Sequence, residues 1–257
     1  MLSTIIAISV STALLIWILN MKKDDPFPKW TVVRLLIAGF LSYAISGFLT
    51  VTAALVNFFM QYGTGIIQQL QTDQEGAVAA LTELAEKISS APYNPVSSFI
   101  RTFLIVGFVE EICKFLLARS VIRKKLQRPT WKDVMLCFLI TALGFQISED
   151  IGYSEGSVLT AIIRALTPFH FTFATVMGYY WGRAKQTGNG IYYFLAIFIP
   201  SLLHTLFDFS IKAMFHMDIF LMVFLGTALF LFVLTIVMIL KIRKWNRTGI
   251  LDIEVEI

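Results

Sequence analysis

The stretch Ser98–Ala118, SFIRTFLIVGFVEEICKFLLA, is long enough to cross a bilayer, yet it carries two adjacent carboxylates, Glu110 and Glu111, near its middle. Lys114 follows one helical turn later. Each ionisable side chain at the centre of a membrane helix opposes insertion by roughly 2.5 to 3.5 kcal/mol, so such groups face a protein interior or a wet cavity and mark function. Composition places this stretch in a membrane. With 57% hydrophobic residues, 15% charged residues and a mean hydropathy of +0.74, the chain has too little polar surface to cover a soluble domain.

A hydrocarbon core of roughly 30 Å needs about 20 apolar residues per helix, and about seven runs meet that length. They are Leu2–Met21, Leu35–Met60, Ser98–Ala118, Asp133–Tyr153, Val158–Gly182, Gly190–Phe215 and Ile219–Leu240. All are too long and too uniformly apolar for barrel strands, which alternate with period two over about ten residues. The expected fold is therefore all-α: a polytopic membrane helical bundle, one integral domain over residues 1–257 without internal repeat or long linker.

Lysine and arginine set the orientation. Lys22, Lys23, Lys29 and Arg34 lie between the first two spans, and Arg119, Arg123, Lys124, Lys125, Arg128 and Lys132 between the third and fourth. Arg183 and Lys185, then Lys241, Arg243, Lys244 and Arg247, fall on the same side if the helices alternate. That side is expected to be cytoplasmic, with the N-terminus outside and the C-terminus inside. The pI of about 9.0 then reflects loops facing anionic lipid and implies no nucleic-acid partner. The first run lacks a basic leader and a clear small-residue cleavage site, so it reads as a retained anchor.

Residues 61–97 form the one sizeable loop between spans. Val78, Leu81, Ala85 and Ile88 recur near helical period, and Thr72 with Glu75 has capping-box spacing, which predicts a short amphipathic helix ending before Pro92. It is expected to rest on the headgroups rather than to act as a gate. Cys113 and Cys137 fall inside spans, where apolar packing is expected and a disulfide is not.

Every span from three to six carries ionisable groups: Glu110, Glu111 and Lys114; Glu149 and Asp150; Arg164 and His170; His204 and Asp208. Spans one, two and seven carry none in their interiors. At about 1.5 Å per residue, Glu110 lies roughly 18 Å deep, His170 roughly 18 to 20 Å and His204 roughly 12 to 16 Å, so all three can share a layer. Glu149 lies shallower, at a mouth or turned inward at its helix end.

Two histidines and a carboxylate at one depth suit a divalent metal, with zinc the natural candidate and Glu111, His170 and His204 the expected ligands. A second carboxylate can then act as general base in hydrolysis of a peptide bond. A metal-independent version, in which Glu and His activate the water themselves, stays open. The expected catalytic set is Glu110, Glu111, His170, His204 and Asp208, with Asp208 orienting His204. Lys114, Glu149, Asp150 and Arg164 are supporting charges, and Ala174, Gly178 and Gly182 read as a packing stripe on span five.

Taken in order, Glu110-Glu111-x-x-Lys114, Gly144-Phe145 with Glu149-x-x-x-Tyr153, His170 with Gly178, and His204-x-x-x-Asp208 resemble the motifs of PrsW-type intramembrane endopeptidases. The resemblance covers spans three to six. It implies a bacterial membrane protease whose substrate is a single-span membrane protein, some members of that family making the first cut in an anti-sigma factor. Two positions depart from the family pattern: Asp150 stands where Asn is common, and Thr205 where Gly is common. The related CAAX-type prenyl-protein endopeptidases and bacteriocin-immunity proteins share a paired-Glu motif, but there Arg follows at another spacing and Phe precedes the first His by four, where this chain has Lys114 and Leu166. A proton-coupled transporter would also bury Glu, His, Lys and Arg. The absence of a repeat and the clustering of charge in four consecutive spans favour the protease, as against either a transporter or an inactive scaffold.

Overall fold

The computed structural model describes residues 2–72, 82, 93–154, 157–216 and 219–255. Helices account for the architecture: α1 (Leu2–Met21), α2 (Lys29–Thr72), α3 (Pro95–Thr102), a π-helical turn (Phe103–Gly107), α4 (Phe108–Lys125), α5 (Trp131–Tyr153), α6 (Val158–Leu166), α7 (Phe169–Thr187), α8 (Gly190–Met214) and α9 (Ile219–Thr248). Among the described residues, six helical runs are long and apolar enough to cross a membrane. The third expected span is helical as well, as the run from α3 through α4, but its charges keep it outside that set. The chain is an all-α polytopic bundle. Its outward surface is apolar, with Phe48, Leu159, Met222 and Leu229 exposed where acyl chains would cover them.

The bundle is organised around α5. Its apolar window is 83% buried, against 11% for α9, so α5 is the central post and α9 a lipid-facing flank. The N-terminus of α5 is fixed by a capping box: Thr130 Oγ1 accepts the Asp133 N–H at 3.1 Å, and Asp133 Oδ2 accepts the Thr130 N–H at 2.9 Å. Asp133 Oδ1 also pairs with Lys22 at 2.8 Å, tying the end of α1 to the start of α5. Burial opposes the charge on Lys22, but hydrogen bonds from its ammonium to Asp133 and Asp25 outweigh that cost and hold its pKa above the ordinary lysine value.

Close helix contacts rest on small residues, as expected where no hydrophobic effect drives helices together in lipid. A side chain on Gly39 would strike the backbone of Thr141 and Phe145, and one on Gly144 the backbone of Leu36, so α2 and α5 meet glycine to backbone. The stripe read on span five packs against α5, Gly178 on Met135 and Gly182 on Trp131. On α1, buried Ser3, Ala7 and Ser11 at four-residue spacing pack against α6, whose buried residues are Ala161 and Ala165.

The fifth expected span is broken. Pro168 lacks an N–H and pushes Thr167 out of the helical region, to φ −120 and ψ 59, so α6 ends at Leu166 and α7 starts at Phe169. The break stands directly before His170. The loop expected at 61–97 is also shorter than read from sequence, because α2 continues to Thr72. The amphipathic helix expected around Val78, Leu81, Ala85 and Ile88 lies outside the described residues. Cys113 and Cys137 are both free and buried.

Candidate active site

Glu110 and Glu111 sit in the first turn of α4, just past the π-helical turn that Phe108 N–H closes on Phe103 O. The helix sends the two carboxylates in different directions. Glu111, 1% exposed, receives Lys114 Nζ on Oε1 at 2.6 Å and the Nδ1 side of His204 on the same oxygen at 3.0 Å. Glu110 turns into a cavity, and its Oε2 is buried with no hydrogen-bond partner.

The two histidines enter from α7 and α8 with ring centroids 5.0 Å apart. Carboxylate oxygen can only accept, so His204 carries a hydrogen on Nδ1 toward Glu111, and Nε2, which holds the lone pair in the neutral ring, faces the cavity. Glu110 Oε2 lies 3.7 Å and Asp208 Oδ2 3.6 Å from that Nε2. Asp208, expected to orient His204, lies beside Nε2 and not Nδ1. Glu111 takes that part from across the bundle, and Asp208 stands on the cavity side of the ring.

His170 begins α7. Its Nδ1 receives Lys114 Nζ at 2.8 Å, and its Nε2 lies 2.9 Å from Glu149 Oε2. Glu149, expected at a mouth or turned inward at its helix end, is in direct contact with the histidine layer. Arg164 spans both acidic residues at the end of α5, donating through Nη2 to Glu149 Oε2 and through Nε to Asp150 Oδ1, each at 2.6 Å. This fork anchors the short helix α6 against the end of α5.

Sequence reading passed over Gln146. Its Nε2 donates to Asp150 Oδ1 at 2.7 Å, and its Oε1 accepts the backbone N–H of His170 at 3.4 Å. A glutamine one turn before Glu149 on a face otherwise apolar was the available signal. Phe145 was quoted only as part of a motif. Its ring lies 4.0 Å from Lys114 Nζ and 4.7 Å from the His170 ring, giving the ammonium a cation–π seat.

The cavity above these groups measures about 750 Å³ and is walled by α2, the π-helical turn and α4 to α9. Glu110, Glu149, His170, His204 and Asp208 line its polar end, and Phe48, Val51, Phe173, Phe207 and Phe224 much of the remainder. One ligand atom each from Glu110, His170 and His204 lies within 4.8 Å of the others. That set differs from the expected one in holding Glu110 in place of Glu111.

The donor set fits a divalent cation. Glu110 Oε2 is an orphaned buried oxygen, and His204 Nε2, 3.7 Å from it, offers a lone pair in the neutral ring. Glu111 supplies the carboxylate behind a ligating imidazole that such sites use to fix the ring. His170 completes the set by position, its Nδ1 receiving Lys114 and its Nε2 lying against Glu149 Oε2.

Comparison with known proteins points the same way. The family described as "PrsW family intramembrane metalloprotease" matches residues 27–240. Curated relatives named "Protease PrsW" include one from Clostridioides difficile, 34% identical over 133 residues, covering 48% of this chain and 56% of that one. Another, from Halalkalibacterium halodurans, is 32% identical over 120 residues, covering 45% and 54%. A third, from Oceanobacillus iheyensis, is 27% identical over 168 residues, covering 63% and 75%. The matched stretch spans about half the length of the first two relatives. No solved structure matches the chain.

Proposed function

The chain belongs to the PrsW family of intramembrane metalloproteases, and from that membership we propose that it hydrolyses a peptide bond of a membrane-anchored protein within the bilayer. One observation carries the proposal: Glu110 Oε2, unpartnered, faces the open nitrogen of His204 at the polar end of a cavity large enough for an unwound stretch of peptide. Buried carboxylates and imidazoles without full pairing are costly, and a structural role would have satisfied them. The substrate is a single-span membrane protein, an anti-sigma factor in the form the family resemblance gives. The whole chain, 1–257, acts as one integral domain, N-terminus outside and C-terminus in the cytoplasm.

Glu110, His170 and His204 would hold the metal, zinc being the cation that suits this donor set. Bound there, it would polarise the scissile carbonyl and acidify a water. Glu111 holds the His204 ring through Nδ1–H, and Lys114 balances the Glu111 charge. Asp208 Oδ2 accepts a proton from the attacking water as the new carbon–oxygen bond forms, then returns it to the amide nitrogen as the carbon–nitrogen bond breaks. Glu149, Asp150 and Arg164 keep α6 and the His170 ring in place. Phe173, Phe207 and Phe224 limit the water that reaches the site.

A metal-independent glutamate peptidase is the second reading, favoured by His170. An ammonium has only hydrogens to give, so Lys114 places the His170 hydrogen on Nε2, where a ligand needs a lone pair. In that case Glu110 Oε2 is the proton acceptor and His204, protonated on both ring nitrogens, donates Nε2–H to the carbonyl oxygen.

The test is cleavage of single-span substrates, a candidate anti-sigma factor among them, by purified protein in vesicles. Glu110→Gln and His204→Ala should each remove cleavage; full activity in both overturns the protease reading. Elemental analysis with chelator treatment separates the two mechanisms, since stoichiometric metal whose removal stops cleavage supports the first and metal-free active protein the second.

A further inference from the structure

Lys212 lines the cavity from the last turn of α8, one turn beyond Asp208 and two beyond His204. The cavity's other cation, Arg164, is neutralised by Glu149 and Asp150 at 2.6 Å each. Lys212 has no carboxylate within 4.0 Å among the described residues. Asp208 stands four residues earlier on the same helix, a spacing that allows an ion pair, yet the lysine reaches instead to Thr102 Oγ1 on α3 at 3.4 Å. Along α8 the cavity lining thus runs from carboxylates to an ammonium that has no carboxylate partner among the described residues, with Val106, Phe207, Ile211 and Phe224 supplying apolar lining.

We infer that Lys212, seated by Thr102, is a substrate subsite for a carboxylate side chain flanking the scissile bond. The inference rests on the peptidase reading and adds a sequence preference to it. Lys212 lies eight residues beyond His204, about 12 Å along the helix axis. A peptide that is extended for hydrolysis advances about 3.3 Å per residue. The acidic residue therefore stands about three or four positions from the cut bond, on the side where α8 ends. At that end a Glu or Asp meets an exposed ammonium with no carboxylate partner among the described residues, whereas nearer the cut it would meet Glu110, Glu149 and Asp208 and be rejected.

The test uses the full-length protein in phosphatidylcholine vesicles and a library of Leu/Ala single-span peptides, each with Glu, Gln or Lys at one position, the cut bonds being read by mass spectrometry. Cut sites should be enriched about three- to tenfold for Glu over Gln at the third or fourth position, the yield of one partly screened ion pair. In Lys212→Glu the preference should invert toward Lys at that position, while Lys212→Arg should retain it. A flat charge profile, or a profile the charge reversal leaves unmoved, overturns the subsite. Affinity of the same peptides for Glu110→Gln protein gives a second reading free of turnover. If affinity follows charge but nothing is cut by the unmodified protein, the subsite stands and the peptidase fails; if peptides are cut without regard to charge, the peptidase stands and the subsite fails.

Discussion

Neighbouring glutamates in one helical turn have been given opposite surroundings. Glu111 is saturated by Lys114 and His204, and Glu110 is left with an empty oxygen in a cavity. Glu110→Gln, which keeps shape and removes the charge, should lower kcat/KM by about 10³-fold or more, with the unfolding midpoint in micelles nearly unchanged. Glu111→Gln should damage both, because it frees a buried ammonium and releases the His204 ring. Gln146→Met should reduce kcat about tenfold with KM held, the cost of leaving the His170 N–H unpaired beside a shifted ring. Depth read from sequence brought Glu110, His170 and His204 to one layer, since rise per residue along a helix is nearly constant. Helix rotation about its own axis is not constant in that way, and it decides that Glu110 meets the histidines on the cavity side while Glu111 backs His204 from the other side, and that Asp208 faces Nε2.

Among the elements, α6 is held in position by buried charge. Nine residues long and cut from α7 by Pro168, it is fastened by the Arg164 fork and by small-residue contact with α1. Arg164→Ala leaves Asp150 buried without its cation and should destabilise the fold by about 3 to 5 kcal/mol, read as a lower denaturation midpoint in detergent. Arg164→Lys should recover only part, because an ammonium cannot serve Glu149 and Asp150 with two parallel bonds. The span containing α6 and α7 was legible as apolar length, and the break was not. Hydropathy sees Val158 to Gly182 as one run, whereas Thr167 and Pro168 act through backbone geometry. Gly39→Val should also be severe, since its side chain would meet α5 backbone that cannot yield, and a loss of at least about 1 to 3 kcal/mol is expected.

For the whole molecule, composition and positive charge were enough to give the class of fold and the order of the helices, because membrane insertion depends on those quantities directly. The proposed orientation predicts that green fluorescent protein fused after residue 257 fluoresces and that alkaline phosphatase fused there stays inactive; the reverse pattern would invert the topology. What composition could not give is how one helix serves both ends of the same cavity. The π-helical turn Phe103–Gly107 carries an extra residue in a single turn, which rotates α3 by about 100° relative to α4. Thr102 is thereby phased to reach α8 near its end, while Glu110 is phased to face the same helix two turns deeper. A one-residue deletion within that turn would leave hydropathy, charge and length almost untouched and still point the rim and the floor of the cavity toward different neighbours, an error of angle that no count of apolar residues would reveal.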